Sequence, residues 1–133
     1  MVQDKKFVFF GTGRRKCAVA RVKICEGTGK FLVNGKEISD FCHLDSVEHS
    51  LLNPLVVSDK VDKVDVEAKT SGGGLIGQVG AVSLGLARSL EKMDHDLRAV
   101  LKQAGLLTRD SRIRERKKSG RRGARKRFQF SKR

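Results

Sequence analysis

The sequence predicts an α/β domain over residues 1–108 with a mostly antiparallel sheet, followed by an extended basic tail over residues 109–133. Three observations carry this reading. Between Cys17 and Cys25, Ala18, Ala20, Val22 and Ile24 fall on one face and Arg21 and Lys23 on the other, which is the period of a half-buried strand. Leu75, Val79, Val82, Leu86 and Leu90 recur at helical spacing. Charge is crowded into the last 25 residues, which hold 13 basic and 2 acidic side chains, whereas residues 1–108 hold 16 and 13.

Taken in order, Phe7 to Phe10 is an aromatic-rich strand expected to end at Gly11-Thr-Gly13, and the alternating strand follows it. Glu26-Gly-Thr-Gly29 reads as a turn. Phe31-Leu-Val33, Asn34-Gly35 and Lys36-Glu-Ile38 read as a hairpin, because Asn-Gly tolerates the positive φ angles of a type I′ turn. Asp45 with Glu48 three residues on has the form of a capping box, opening a short helix through Val47, Leu51 and Leu52 that Pro54 is expected to stop. Val64, Val66 and Ala68 alternate with Asp65, Glu67 and Lys69 as another strand, and Gly72 to Gly74 lead into the long helix. On that helix Gly77, Ala81 and Gly85 form a second, small-residue face that permits close approach to a sheet. A last helix from about Asp96 carries Leu97, Val100, Leu101 and Ala104 on its apolar face, with Gly105 as its C′ residue.

The whole chain of 133 residues carries a formal +14, a charge that favours polyanionic partners and is not required by small-molecule catalysis. Its length suits one domain rather than two. Cys17, Cys25 and Cys42 are an odd number at no framework spacing, so a reducing, intracellular compartment is expected, with no disulfide scaffold. Met1 to Phe10 lacks the apolar region and cleavage site of a signal peptide, and no apolar run reaches the roughly 20 residues that cross a bilayer.

Gly72-Gly-Gly74-Leu-Ile-Gly77 satisfies G-x-G-x-x-G between a strand and a helix, but Asp94 and Asp96 fall at a helix junction where a dinucleotide fold needs an acid ending a second parallel strand. A tight turn and close helix packing explain these glycines. Gly29-Lys30 has Ile24 where a Walker A loop needs its first glycine. Cys17 and Cys25 would be roughly 26 Å apart along a strand, too far to share a zinc ion, and Cys42 beside His43 lacks further ligands. His43, His49 and His95 form no nucleophilic arrangement, so neither an active site nor a cofactor or metal site is expected.

Arg14-Arg15-Lys16, with Arg21 and Lys23 on the next strand, forms one candidate cationic patch. The tail forms the other. Its apolar residues are only Ile113, Ala124, Phe128 and Phe130, too few to offset the entropy of ordering, Gly120 and Gly123 add flexibility, and nine of its 13 cations are arginines suited to phosphate. Release of counterions from a phosphate backbone accounts for such a segment most economically. Duplex DNA offers the same phosphates as RNA, whereas a membrane surface would want an amphipathic stripe that the tail lacks.

In order along nearly the whole chain, Gly11-Thr-Gly-Arg-Arg-Lys16, Gly72-Gly-Gly74 with Gly77-Gln78, Gly105-Leu-Leu-Thr-Arg-Asp110, Glu115-Arg-Lys-Lys118, Ala124-Arg125 and Gln129-Phe-Ser-Lys-Arg133 resemble the bacterial-type family of the ninth protein of the small ribosomal subunit. The resemblance implies helices on one face of the sheet, a left-handed βαβ crossover and a fold like the second domain of the fifth small-subunit protein. It also implies a cytoplasmic, ribosome-bound, non-enzymatic protein that binds small-subunit rRNA in the head, beside neighbouring head proteins, and reaches the peptidyl-site tRNA with its tail. No membrane, small-molecule substrate or cofactor is implied. By matching position, Lys132 and Arg133, assisted by Arg127, would touch tRNA. Arg14, Arg15, Lys16, Arg109, Arg112, Arg116, Lys117, Lys118, Arg121, Arg122 and Arg125 would touch rRNA.

Overall fold

A computed structural model describes residues 7–132. Five strands, β1 (Val8–Arg15), β2 (Ala18–Glu26), β3 (Phe31–Val33), β4 (Lys36–Glu37) and β5 (Val64–Ser71), form one sheet in the order β1-β2-β5-β3-β4. Only the β3–β5 pairing is parallel; the other three are antiparallel. The helices are α1 (Ile38–Phe41), α2 (Asp45–Val57), α3 (Leu75–Met93) and α4 (Leu97–Gln103). The molecule is therefore α+β with a mixed sheet.

Strand alternation decides which face is covered. Ala18, Ala20, Val22 and Ile24 of β2 are buried together with Val64, Val66 and Ala68 of β5 and Phe31 and Val33 of β3, while Arg21, Lys23, Glu67, Lys69 and Leu32 are exposed on the opposite face. The apolar side of α3, with Val79, Val82, Leu86 and Leu90 all buried, lies across β1, β2 and β5, and α2, packed against α3, adds Leu51 and Leu55 to the same core. One core results, and the other sheet face stays open.

Expectation and structure part at β1. Gly11 and Gly13 do not end the strand; they are buried positions inside it, paired with Val22 and Ala20. A Cβ on Gly11 would overlap the Gly85 carbonyl oxygen, and one on Gly13 the Ala81 carbonyl oxygen. Glycine is here for space rather than for turning, and the expected small-residue face of α3 is what fills that space.

Three helix expectations also change. Asp45 lies inside the first turn of α2, with Leu44 at the N-cap and no side-chain cap bond, so the capping box does not form. Pro54 does not stop α2, which continues to Val57. The proline ring is buried with Leu51 and Leu55, and Ser58 closes the end by donating its Oγ–H to the carbonyl of Pro54 at 2.8 Å. Packing of that last turn offsets the bond that Pro54 cannot give. On α4 Leu101 is buried, but Val100 is exposed rather than on the apolar face, and so is Ala104, which caps the helix at its C-terminus. Ile38 begins α1 instead of extending β4.

Two turns form as expected. Asn34 and Gly35 have φ of 53° and 78°, the left-handed pair that a type I′ hairpin needs. The Asn34 side chain adds two bonds to Thr70, one donated to Oγ1 at 3.0 Å and one accepted from its N–H at 2.8 Å. Gly105, at φ 73°, closes α4: its N–H donates to Lys102 and that of Leu106 to Leu101. These are the two bonds of a Schellman motif. Beyond Gln103 no helix or strand occurs among the described residues.

Candidate nucleic-acid interface

The β1–β2 hairpin turns at Lys16 and Cys17, with Lys16 at φ 51° and exposed. Because side chains alternate along β1, the adjacent arginines go opposite ways. Arg14 is exposed on the open face of the sheet. Arg15 turns to the helix side and lies over Gly80, its Nη2 3.3 Å from Asp110 Oδ2. Its Nε is buried without a hydrogen-bond partner among the described residues.

Asp110 is the root of the tail. Besides Arg15 it takes a forked contact from Arg112, whose Nε and Nη2 lie 3.0 and 2.9 Å from Oδ1 and Oδ2, and it accepts the Arg112 backbone N–H at 3.0 Å. The Arg112 side chain, followed by its N–H, holds the Asp110 carboxyl far below the usual carboxylate range, and the same bonds raise Arg112. Arg109 Nη1 donates to the Asp110 carbonyl at 3.3 Å.

Further out, Glu115 accepts from Lys118 Nζ at 2.7 Å and Arg125 Nε at 2.9 Å, bonds that lower its carboxyl in that order. The chain folds back here. Arg121 Nη1 donates to the Arg125 carbonyl, and Arg122 N–H to that of Lys126. A groove of about 720 Å³ opens in this loop, lined by Arg114, Arg116, Lys117 and Arg122 against the single acid Glu115. Four cations around one carboxylate make a concave groove of net positive charge.

Only Arg112, Lys118 and Arg125 of the tail are paired with acids; its nine other described cations, Arg116, Lys117, Arg121, Arg122, Arg127 and Lys132 among them, have no acidic partner among the described residues. Arg133 lies outside the described residues. The predicted residues thus fall into two groups, a hairpin end where Arg14 and Lys16 have no acidic partner among the described residues, and a tail looped around Glu115. Arg15 and Asp110 join the two.

Two cations escaped the sequence reading. Arg88 and Lys92, four residues apart on α3, reach round the free edge of β1, donating to the Thr12 carbonyl at 2.8 Å and the Phe10 carbonyl at 2.7 Å. The i, i+4 spacing was visible, but which strand edge lay beneath it was not. The glycines at 72 to 74 form a turn whose Gly72 carbonyl accepts from the Gln78 side chain. No cluster of potential metal ligands occurs among the described residues, and Cys42, buried, has its thiol raised by desolvation and then by Glu48.

Compared with known families, residues 13–133 match the family described as ribosomal protein S9/S16.

Proposed function

Because the chain belongs to the ribosomal protein S9/S16 family and is thereby a structural, ribosome-associated protein, we propose that it is the bacterial-type ninth protein of the small subunit, and that it binds rRNA of the head through phosphate contacts. No helix among the described residues is long and apolar enough to cross a membrane. The observation that carries the proposal is the imbalance in the tail, where nine described cations have no acid to neutralise them. Such a segment gains most from a phosphate backbone, and nine arginines in 25 residues supply planar forks for it.

In this reading residues 1–108 are the globular unit and 109–133 the extended arm. Arg14, Arg15, Lys16, Arg109, Arg112, Arg116, Lys117, Lys118, Arg121, Arg122 and Arg125 take rRNA phosphates, with Arg15 and Arg112 doing so while held by Asp110. Lys132 and Arg133, assisted by Arg127, reach the peptidyl-site tRNA, and other head proteins adjoin the globular unit in the cytoplasmic ribosome. A left-handed crossover from β3 to β5, as in the second domain of the fifth small-subunit protein, belongs to the same reading; the parallel β3–β5 pairing with α2 between supplies the crossover itself, not its hand.

Co-sedimentation tests the proposal. After deoxyribonuclease treatment the protein is expected to remain with small subunits through a sucrose gradient. Release into the soluble fraction, with recovery on added duplex DNA, would make it a nucleoid-type protein instead.

A further inference from the structure

The open face of the sheet carries an arrangement that folding alone does not favour. Arg21 of β2 and Lys69 of β5 stand directly opposite one another in the antiparallel register, both exposed, and neither has an acidic partner among the described residues. Like charges facing each other across a strand pair destabilise it. One pleat away the corresponding pair, Lys23 and Glu67, is of opposite sign and closes to 3.5 Å. The sheet therefore accommodates a complementary pair at one position and a repulsive one at the next.

The row containing Arg21 and Lys69 continues to Thr12 of β1, and at that edge Arg88 is pinned to the Thr12 carbonyl at 2.8 Å. Arg21 and Lys69 thus stand on neighbouring strands of the open face, separated by the usual strand spacing of about 4.8 Å, while Arg88 comes to the β1 edge from the helix side. Arg14 lies on the same face one pleat nearer the hairpin turn, while the acids of this face, Glu67, Asp65 and, on β4, Glu37 opposite Leu32, lie in the rows farther from that turn. Beside the cations Phe10 projects from β1, 61% exposed, with Val8 further along the same face. A cationic row beside an exposed aromatic ring on a flat sheet matches what an unpaired nucleic-acid strand offers, phosphates on one side and stackable bases on the other.

From this we infer that the open sheet face is a second RNA site, separate from the tail, that takes a single-stranded segment with its phosphates over Arg14, Arg21 and Lys69 and a base on Phe10. The inference rests on the RNA-binding reading of the chain and assigns that reading a further surface. A duplex, with its bases stacked inside, would leave Phe10 without a role. The mutual repulsion of Arg21 and Lys69 is relieved when phosphate lies between them.

The test uses the full-length chain and a fluorescein-labelled twelve-nucleotide oligouridine, titrated by anisotropy over a range of salt. Lys69→Glu sets a carboxylate opposite Arg21, so the denaturation midpoint is expected to rise while affinity for the oligouridine falls at least fivefold. With about two fewer phosphates neutralised, the slope of log K against log salt should become shallower by about 1.4. Phe10→Ala should weaken binding at unchanged slope, and Arg21→Gln should reproduce the loss with a smaller charge change. Wild-type affinity and slope in Lys69→Glu would overturn the sheet site. If binding is then lost only in Arg121→Gln/Arg122→Gln, the tail reading stands alone; if the wild type binds no RNA, both fail. Unchanged RNA affinity with loss of Lys69→Glu from small subunits would assign the face to a protein neighbour and equally overturn the inference.

Discussion

The Arg15 guanidinium and the Asp110 carboxylate meet at 3.3 Å, tying the end of β1 to the first residues of the tail. Asp110 also grips Arg112, so one acid holds a cation from the folded unit and a cation from the arm at once. This carboxylate, together with Leu106 and Leu107 packed on the core just before it, fixes where the arm leaves the folded unit. Asp110→Asn keeps the shape and removes the charge. Because the pair is partly solvated, global stability is expected to change little, while trypsin cleaves after Arg109 and Arg112 faster than in the wild type. Unchanged cleavage kinetics would mean that the ion pair does not direct the arm.

Acid should loosen this root late. The Asp110 carboxyl is depressed chiefly by its Arg112 bonds, and Glu115 by Lys118 and then Arg125. A group depressed in the folded state contributes stability in full above its unfolded value, near 4, and loses it only as pH falls through the lowered folded value. Carboxyl carbon-13 shifts of Asp110 and Glu115 should therefore be flat from pH 7 to about pH 4.5. A midpoint of ordinary value for Asp110 would show that the forked contact is not maintained in solution.

Gly13→Ala should be among the most damaging single substitutions, since the new Cβ meets the Ala81 backbone and not a side chain that can rotate away. Overpacking costs about 1–3 kcal/mol where side chains yield, and a backbone obstacle places this change at or above that range. Urea denaturation measures it. A loss below about 1 kcal/mol would mean that β1 and α3 separate easily.

Asn34→Ala removes a residue tolerant of the left-handed region together with two bonds to Thr70. At an exposed turn the expected loss is about 1–2 kcal/mol, read from the denaturation midpoint, with the hairpin amides exchanging first. Asn34→Gly, which keeps the backbone freedom alone, should recover part of it.

Binding to small-subunit rRNA should depend steeply on salt. If about eight phosphates are neutralised, log K against log salt should have a slope near −6 to −7. A slope close to −1 would leave the basic residues as a solvated surface. Deleting Ser131-Lys132-Arg133 should spare assembly and weaken peptidyl-site tRNA by about 1–3 kcal/mol, measured as tRNA dissociation from reconstituted subunits at equal occupancy.

Much of the fold was legible because it is written in local periodicity. The buried faces of β2 and β5 and the left-handed pair at Asn34-Gly35 follow from patterns a few residues long. What was misread depends on partners far along the chain. Gly11 and Gly13 look like turn residues until the α3 backbone, some seventy residues on, is seen to occupy their missing side chains. Pro54 looks like a helix stop unless one knows that its ring is buried. The candidate site behaved likewise: Arg14, Arg15 and Lys16 were visible as a cluster, but alternation along β1 and the reach of Asp110 divide them. That Arg21 faces Lys69 could not be seen before β2 and β5 were known to be neighbours.

The contact of Gly11 and Gly13 with Ala81 and Gly85 has a consequence for how this chain can vary among its descendants. Core leucines and valines can exchange volume, one growing as its neighbour shrinks, so drift is possible by paired steps. At this contact glycine already sits at the lower limit of side-chain size on β1, and what opposes it on α3 is main chain, which no substitution makes smaller. No second change can compensate the first. Mutational libraries of this protein should therefore show Gly11 and Gly13 as intolerant sites without suppressors elsewhere in the chain, while the leucines of α3 yield many.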